Sequence, residues 1–111
     1  MEFTNQEKRA ILKVLADIMT ADGILDVNEK AYFAAVYNAL NATKNDLSEM
    51  LSMKVSESLA ILKTMEQEKK LALGIMMQQM IEADNDIDEK ELNIFMVVFE
   101  SIGIILPDDI K

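Results

Sequence analysis

Cysteine, histidine and tryptophan are missing from this 111-residue chain, and it has only one proline and three glycines. Without Cys or His there is no thiol nucleophile, no imidazole base, no disulfide and no zinc site of the usual kind. So little glycine and proline, with no alternating strand pattern, predicts an all-α fold. Basic residues are outnumbered, with 11 Lys and Arg against 20 Asp and Glu, a net charge of −9. Phosphate neutralisation needs a basic face, so nucleic acid is not an expected partner. The most apolar stretches, 71–81 and 94–99, are too short to span a bilayer, so no direct membrane insertion is expected. The first eight residues lack the apolar core of a signal peptide. A cytoplasmic protein follows as the expectation, monomeric or weakly homodimeric.

Half of the residues are apolar, enough for a single core at this length without staples. The chain is organised around two copies of one acidic loop. The first runs Ala21-Asp22-Gly23-Ile24-Leu25-Asp26-Val27-Asn28-Glu29, and the second Ala83-Asp84-Asn85-Asp86-Ile87-Asp88-Glu89-Lys90-Glu91. The 62-residue offset holds without a gap through both flanks. It pairs Ile11 with Leu73, Val14 with Met76, Leu15 with Met77 and Ile18 with Met80 before the loop, and Phe33 with Phe95, Tyr37 with Phe99 and Leu40 with Ile102 after it. A unit of helix, acidic loop and helix therefore occurs twice, about 4–41 and 65–103, within one domain of six to seven helices and internal pseudo-twofold symmetry.

Thr4 and Glu7 form a capping box for the first helix, with Phe3 as its staple; the helix should run to about Ala21. Asp26 caps the second helix with Glu29 as box partner, and Tyr32, Phe33, Val36, Tyr37 and Leu40 form its buried stripe. A short third helix, 44–52, carries Leu47, Met50 and Leu51. Ser56 is the expected cap of a fourth, and Thr64 with Gln67 that of a fifth over 65–83. The sixth starts from the Asp88–Glu91 box and stops at Gly103, and the apolar tail 104–107 should dock on the core. Met76, Met77 and Met80 read as core, Tyr32 and Tyr37 as core-edge residues, and Gly74 as a weak marker of close helix approach.

The carboxylates of the two loops are the candidate chemistry. Caps account for Asp26 and Asp88, and boxes for Glu29 and Glu91, each worth on the order of 1 kcal/mol. They do not account for Asp22 and Asp84, which stand at helix C-termini where the macrodipole disfavours an anion. Either these side chains close Asx turns on backbone N–H groups, or they bind a cation. In the second case Asp22, Asp26 and Glu29 supply oxygens in the first loop, and Asp84, Asp86, Asp88 and Glu91 in the second. An all-oxygen set suits Ca²⁺ or Mg²⁺. Residues 82–91 hold six carboxylates against Lys90 alone. An EF-hand is rejected, because its sixth and twelfth positions would be Glu89 and Phe95 in place of Gly and Glu.

The paired Ala-Asp-Gly-x-Leu-Asp-x-x-Glu pattern, between long helices, resembles the tellurite-resistance TerB-like family and a related segment of a membrane-anchored DnaJ-like co-chaperone. The resemblance covers nearly the whole chain. It implies a compact helical domain with stress-linked roles, protein partners and metal-binding acidic loops, and no firmly attached reaction. The family's acidic positions fall on Asp22, Asp26, Glu29, Asp84, Asp88 and Glu91, while Asn85 replaces the second glycine. The leading expectation is a non-enzymatic binding and stress-response domain that engages protein partners and, through its acidic loops, a divalent cation. Its alternatives are a purely structural helical adaptor and a metal-dependent hydrolase using clustered carboxylates.

Overall fold

Thr4 opens the first helix with a complete capping box. Its hydroxyl accepts from the Glu7 N–H at 3.1 Å, and the Glu7 carboxylate accepts from the Thr4 N–H at 2.9 Å. The resulting α1 spans Asn5–Thr20. The structure, a computed structural model, describes residues 1–83 and 88–105. Among these are five further helices: α2 (Val27–Ala39), α3 (Lys44–Ser52), α4 (Val55–Lys63), α5 (Gln67–Glu82) and α6 (Glu89–Ile102). The sites expected at Asp84 and Asp86, and the tail residues Leu106 and Pro107, lie outside the described residues.

The expected all-α architecture is what forms. α1 packs on α2 as α5 packs on α6, and the cross-pairs α1–α6 and α5–α2 complete a four-helix core with α1 against α5. Glu7 and Lys69 mark where the two halves meet: they are equivalent positions, 62 residues apart, and they pair at 2.9 Å. Both halves also end α2 and α6 alike. Asn41 (φ 55°) and Gly103 (φ 73°) adopt the left-handed conformation. The next N–H then reaches back five residues, from Ala42 to Tyr37 O at 3.1 Å and from Ile104 to Phe99 O at 3.3 Å, which closes a Schellman motif twice.

The α3–α4 hairpin has no counterpart among the described residues. It lies on α1, and α4 also reaches α6. α1 is consequently the central helix, with Ala10, Ile11, Leu12, Val14, Leu15 and Ile18 all buried. Met77 and Met80 are buried on α5 with Leu73 and Ile81, as the apolar register requires, while Met76 is half-buried. Tyr32 and Tyr37 sit at the core edge. Ile104 docks on the core, and Gln67 clamps the segment around it, donating to Gly103 O at 3.4 Å and accepting from the Ile105 N–H at 3.3 Å. No helix among the described residues is long and apolar enough to cross a membrane.

Several local expectations are corrected. Ser56 does not cap α4; the helix starts two residues earlier than expected, from Lys54, whose N–H donates to the Glu57 carboxylate at 2.8 Å. Thr64 does not cap α5 but closes α4, its hydroxyl donating to Ile61 O at 2.7 Å, and Glu66 is the N-cap residue of α5. Leu51 is 74% exposed, because a two-turn helix resting on α1 buries only the side carrying Leu47 and Met50. Gly74 is no tight crossing. A Cβ there would meet Ile104 at 3.6 Å, an ordinary contact.

Candidate functional site

The first acidic loop is held by its own amides. Asp22 accepts from the Ile24 N–H at 2.9 Å, an Asx turn that folds the chain back after α1. Gly23, at φ 79°, supplies the left-handed step in that turn. Asp26 accepts from the Asn28 N–H at 2.8 Å and the Glu29 N–H at 3.1 Å and so caps α2. At the start of α6, Asp88 accepts from the Lys90 N–H at 2.7 Å. Among the described residues, no three carboxylates gather in an arrangement that could hold a metal ion.

Both loop glutamates are buried, and the first departs from its expected role. The Asp26 cap forms, but its box is not closed by Glu29, which turns inward and is 1% exposed. Glu91, its equivalent, is 0% exposed. Neither is without a partner. The pattern that foretells this burial is helical phase. Glu29, Phe33, Val36 and Leu40 lie on one line of α2, and Glu91, Phe95, Val98 and Ile102 on the matching line of α6, so each glutamate heads the stripe that faces the core. Each also lies in the first turn of its helix, where the macrodipole favours an anion.

Two apolar clefts were not foreseen. One, of about 430 Å³, is lined by Val14, Val55, Leu59, Ile94 and Val97 between α1, α4 and α6, with Asp17 at its rim paired to Lys13 at 3.0 Å. The other, of about 290 Å³, runs between α5 and α6 and is lined by Leu71, Ile75, Phe95, Met96, Phe99 and Ile104. Between α2 and α5, the Tyr32 hydroxyl donates to Gln79 Oε1 at 2.7 Å, and burial pushes that phenol's pKa up.

Two carboxylates elsewhere show lowered pKa values. Burial alone would raise Asp46, but the Thr43 N–H, the Arg9 guanidinium and the Thr43 hydroxyl outweigh it and hold the carboxyl below the usual aspartate value. Burial likewise opposes Glu7, which the Thr4 N–H and Lys69 together bring below the usual glutamate value. Both groups fasten helices together and neither lines the two apolar clefts.

No protein-family model matches the chain, and no curated protein matches it. Among solved structures it is similar to a protein of unknown function, PG1108 from Porphyromonas gingivalis W83, with a TM-score of 0.76 and 24% identity over 96% of this chain and 89% of that one. That similarity establishes a shared fold.

Proposed function

We propose that this domain acts by binding a protein partner, a non-enzymatic stress-response role of the kind that the TerB-like resemblance implies. The observation that carries this reading is the outer surface of α6. Leu92, Met96 and Val97 are exposed there, and the helix forms a wall of both apolar clefts. A helix with this much uncovered apolar side chain is suited to bury it against another chain. Titrating the isotope-labelled protein with a small library of amphipathic helical peptides tests the reading by amide shifts. Perturbations at cleft residues are expected; a library that moves no resonance at millimolar peptide removes the proposal.

A second reading adds Ca²⁺ or Mg²⁺ at the acidic loops. The six carboxylates within 82–91 favour it, and their density makes the second loop the stronger candidate. Calorimetric titration of chelator-stripped protein is the test. No heat and no change in melting temperature at millimolar metal would leave the domain as a metal-free adaptor.

A further inference from the structure

α1 and α5 are equivalent helices, yet they are covered unequally. On α1, the face carrying Arg9 and Leu12 lies under the α3–α4 hairpin, with Leu12 fully buried and Arg9 bonded to Asp46 of α3 at 2.8 Å. The 62-residue offset maps that face onto Leu71 and Gly74 of α5, which line the open groove against α6. The same surface that one repeat buries beneath helices is left uncovered by the described residues in the other. Its two most prominent side chains, Ile75 and Met96, are 49% and 52% exposed.

The charged residues on the outer lines of the two helices that wall this groove are of one sign. Glu68, Ile75 and Glu82 recur at seven-residue spacing along the outer line of α5, so a carboxylate stands two turns to either side of the central isoleucine. Gln78, which lines the groove, donates to Glu82 at 3.2 Å. On α6, Glu89 and Glu100 flank Met96, two turns before it and one turn after it on the same outer surface. All four glutamates are exposed, and no Lys or Arg falls on either line. An apolar trough between acidic crests selects its occupant by charge as well as by shape.

The geometry points to the α5–α6 groove as the docking site for a cationic amphipathic helix of a partner protein, its apolar stripe over Ile75 and Met96 and its Lys or Arg residues against Glu68, Glu82, Glu89 and Glu100. This inference rests on the protein-binding reading and assigns it a surface and a partner chemistry. Lysine and arginine at the edges of such a helix would meet carboxylates along its length, while an acidic helix of the same shape would be repelled. Met96 adds a flexible thioether that conforms to varied apolar side chains.

The test uses the full chain and two designed helices of about 16 residues, stapled because isolated helices of that length are marginal in water. One carries leucines flanked by lysines, and the other the same leucines flanked by glutamates. Amide-shift mapping should place the lysine peptide over residues 71–78 and 92–99. Its affinity should exceed that of the glutamate peptide by roughly tenfold or more and weaken with salt. The paired substitution Glu68→Lys with Glu100→Lys should reduce it by about tenfold, as should Met96→Asp, whereas Glu49→Lys, distant on α3, should leave it unchanged. Circular dichroism confirms that each variant folds. Equal affinity for the two peptides, or equal loss from Glu49→Lys, overturns the inference. So does mapping to the Val14–Leu59–Val97 cleft, an outcome under which protein binding stands and this groove does not. Silence from both peptides overturns it as well, and the wider peptide library then decides whether the protein-binding reading survives.

Discussion

Replacing Asp46 with alanine removes two supports of α3 at once. Its carboxylate accepts from the Thr43 N–H at 2.9 Å, which completes the capping box, and from Arg9 Nε at 2.8 Å, which ties α3 to α1. The first is a backbone hydrogen bond worth about 1 kcal/mol, and the second a charge-assisted bond worth about 1.5–3 kcal/mol. The Arg9 side chain is 20% exposed and has Glu49 at 4.0 Å, so it recovers part of its solvation when Asp46 is lost. That places the second contribution at its lower end, and the expected cost of Asp46→Ala is about 2–3 kcal/mol at neutral pH. Asp46→Asn keeps an acceptor but loses the charge, and should cost about half as much. Urea unfolding from pH 7 to pH 2.5 separates these effects. The folded pKa of Asp46 is depressed, so its contribution is complete above the ordinary aspartate value of about 3.9 and disappears as pH falls through the lower folded value. The gap between wild type and Asp46→Ala should therefore narrow in acid, because the wild type loses the same carboxylate. A gap that stays constant down to pH 2.5, or an alanine cost below about 0.5 kcal/mol at pH 7, would refute the assignment.

Glu7 and Lys69 should show a coupling of about 1 kcal/mol in a double-mutant cycle of Glu7→Gln and Lys69→Met, larger than for most exposed pairs, because both side chains are only 14% exposed. That coupling fades as pH falls through the depressed Glu7 value, and a pH-independent cycle would contradict it. Gly74→Ala should stabilise by about 0.5–1 kcal/mol, since it removes a mid-helix glycine and its new methyl meets Ile104 at an ordinary 3.6 Å; a lowered melting temperature would show that α5 and the Ile104 segment cannot accommodate it. Leu12→Ala, at a wholly buried position of α1, should cost about 2–5 kcal/mol, against less than about 1 kcal/mol for the exposed Ile75→Ala on α5, as read by denaturant midpoints at unchanged slope.

Architecture was legible because it depends on period and punctuation. Residues three and four apart must share a helix face, so Ile11, Val14, Leu15 and Ile18 announced the buried side of α1 without reference to any partner. Thr4 with Glu7, Asp26 and Gly103 carry their structural meaning locally, and each acts as its residue type dictates. Ser56 and Thr64 failed for the same local reason. α4 and α5 begin from Lys54 and Glu66, whose side chains make no cap hydrogen bond, so neither start carries the hydroxyl signature that a local reading looks for. Of the candidate site, Asp22 was legible only as a choice between an Asx turn and a ligand, and the 2.9 Å bond from Ile24 records the turn. Glu29 and Glu91 were read by their distance from a cap, though their place at the head of an apolar line carried the stronger information. The first cleft was invisible because it arises between helices that are far apart in sequence, α1, α4 and α6.

Duplication followed by asymmetric covering explains why the exposed apolar surface sits where it does. Two identical hairpins packed about an axis would each expose the outer face of their first helix. Here the segment joining the two halves folds as α3 and α4 and lies over the outer face of α1, so α1 buries residues on several sides while α5 does not. The substitutions follow the covering. Arg9 in α1 found Asp46 on the hairpin above it, whereas its equivalent Leu71 lines an open groove. Lys13 at the rim pairs with Asp17, whereas its equivalent Ile75 projects from the surface with no ionic role. Selection for solubility alone would have favoured charge at the uncovered positions and would have tolerated apolar residues at the covered ones. The observed placement runs the other way on α5: the residues lining the groove are mostly apolar, and the carboxylates stand two turns to either side of Ile75. That inversion is the physical reason to assign the proposed docking surface to the second repeat and not to the first.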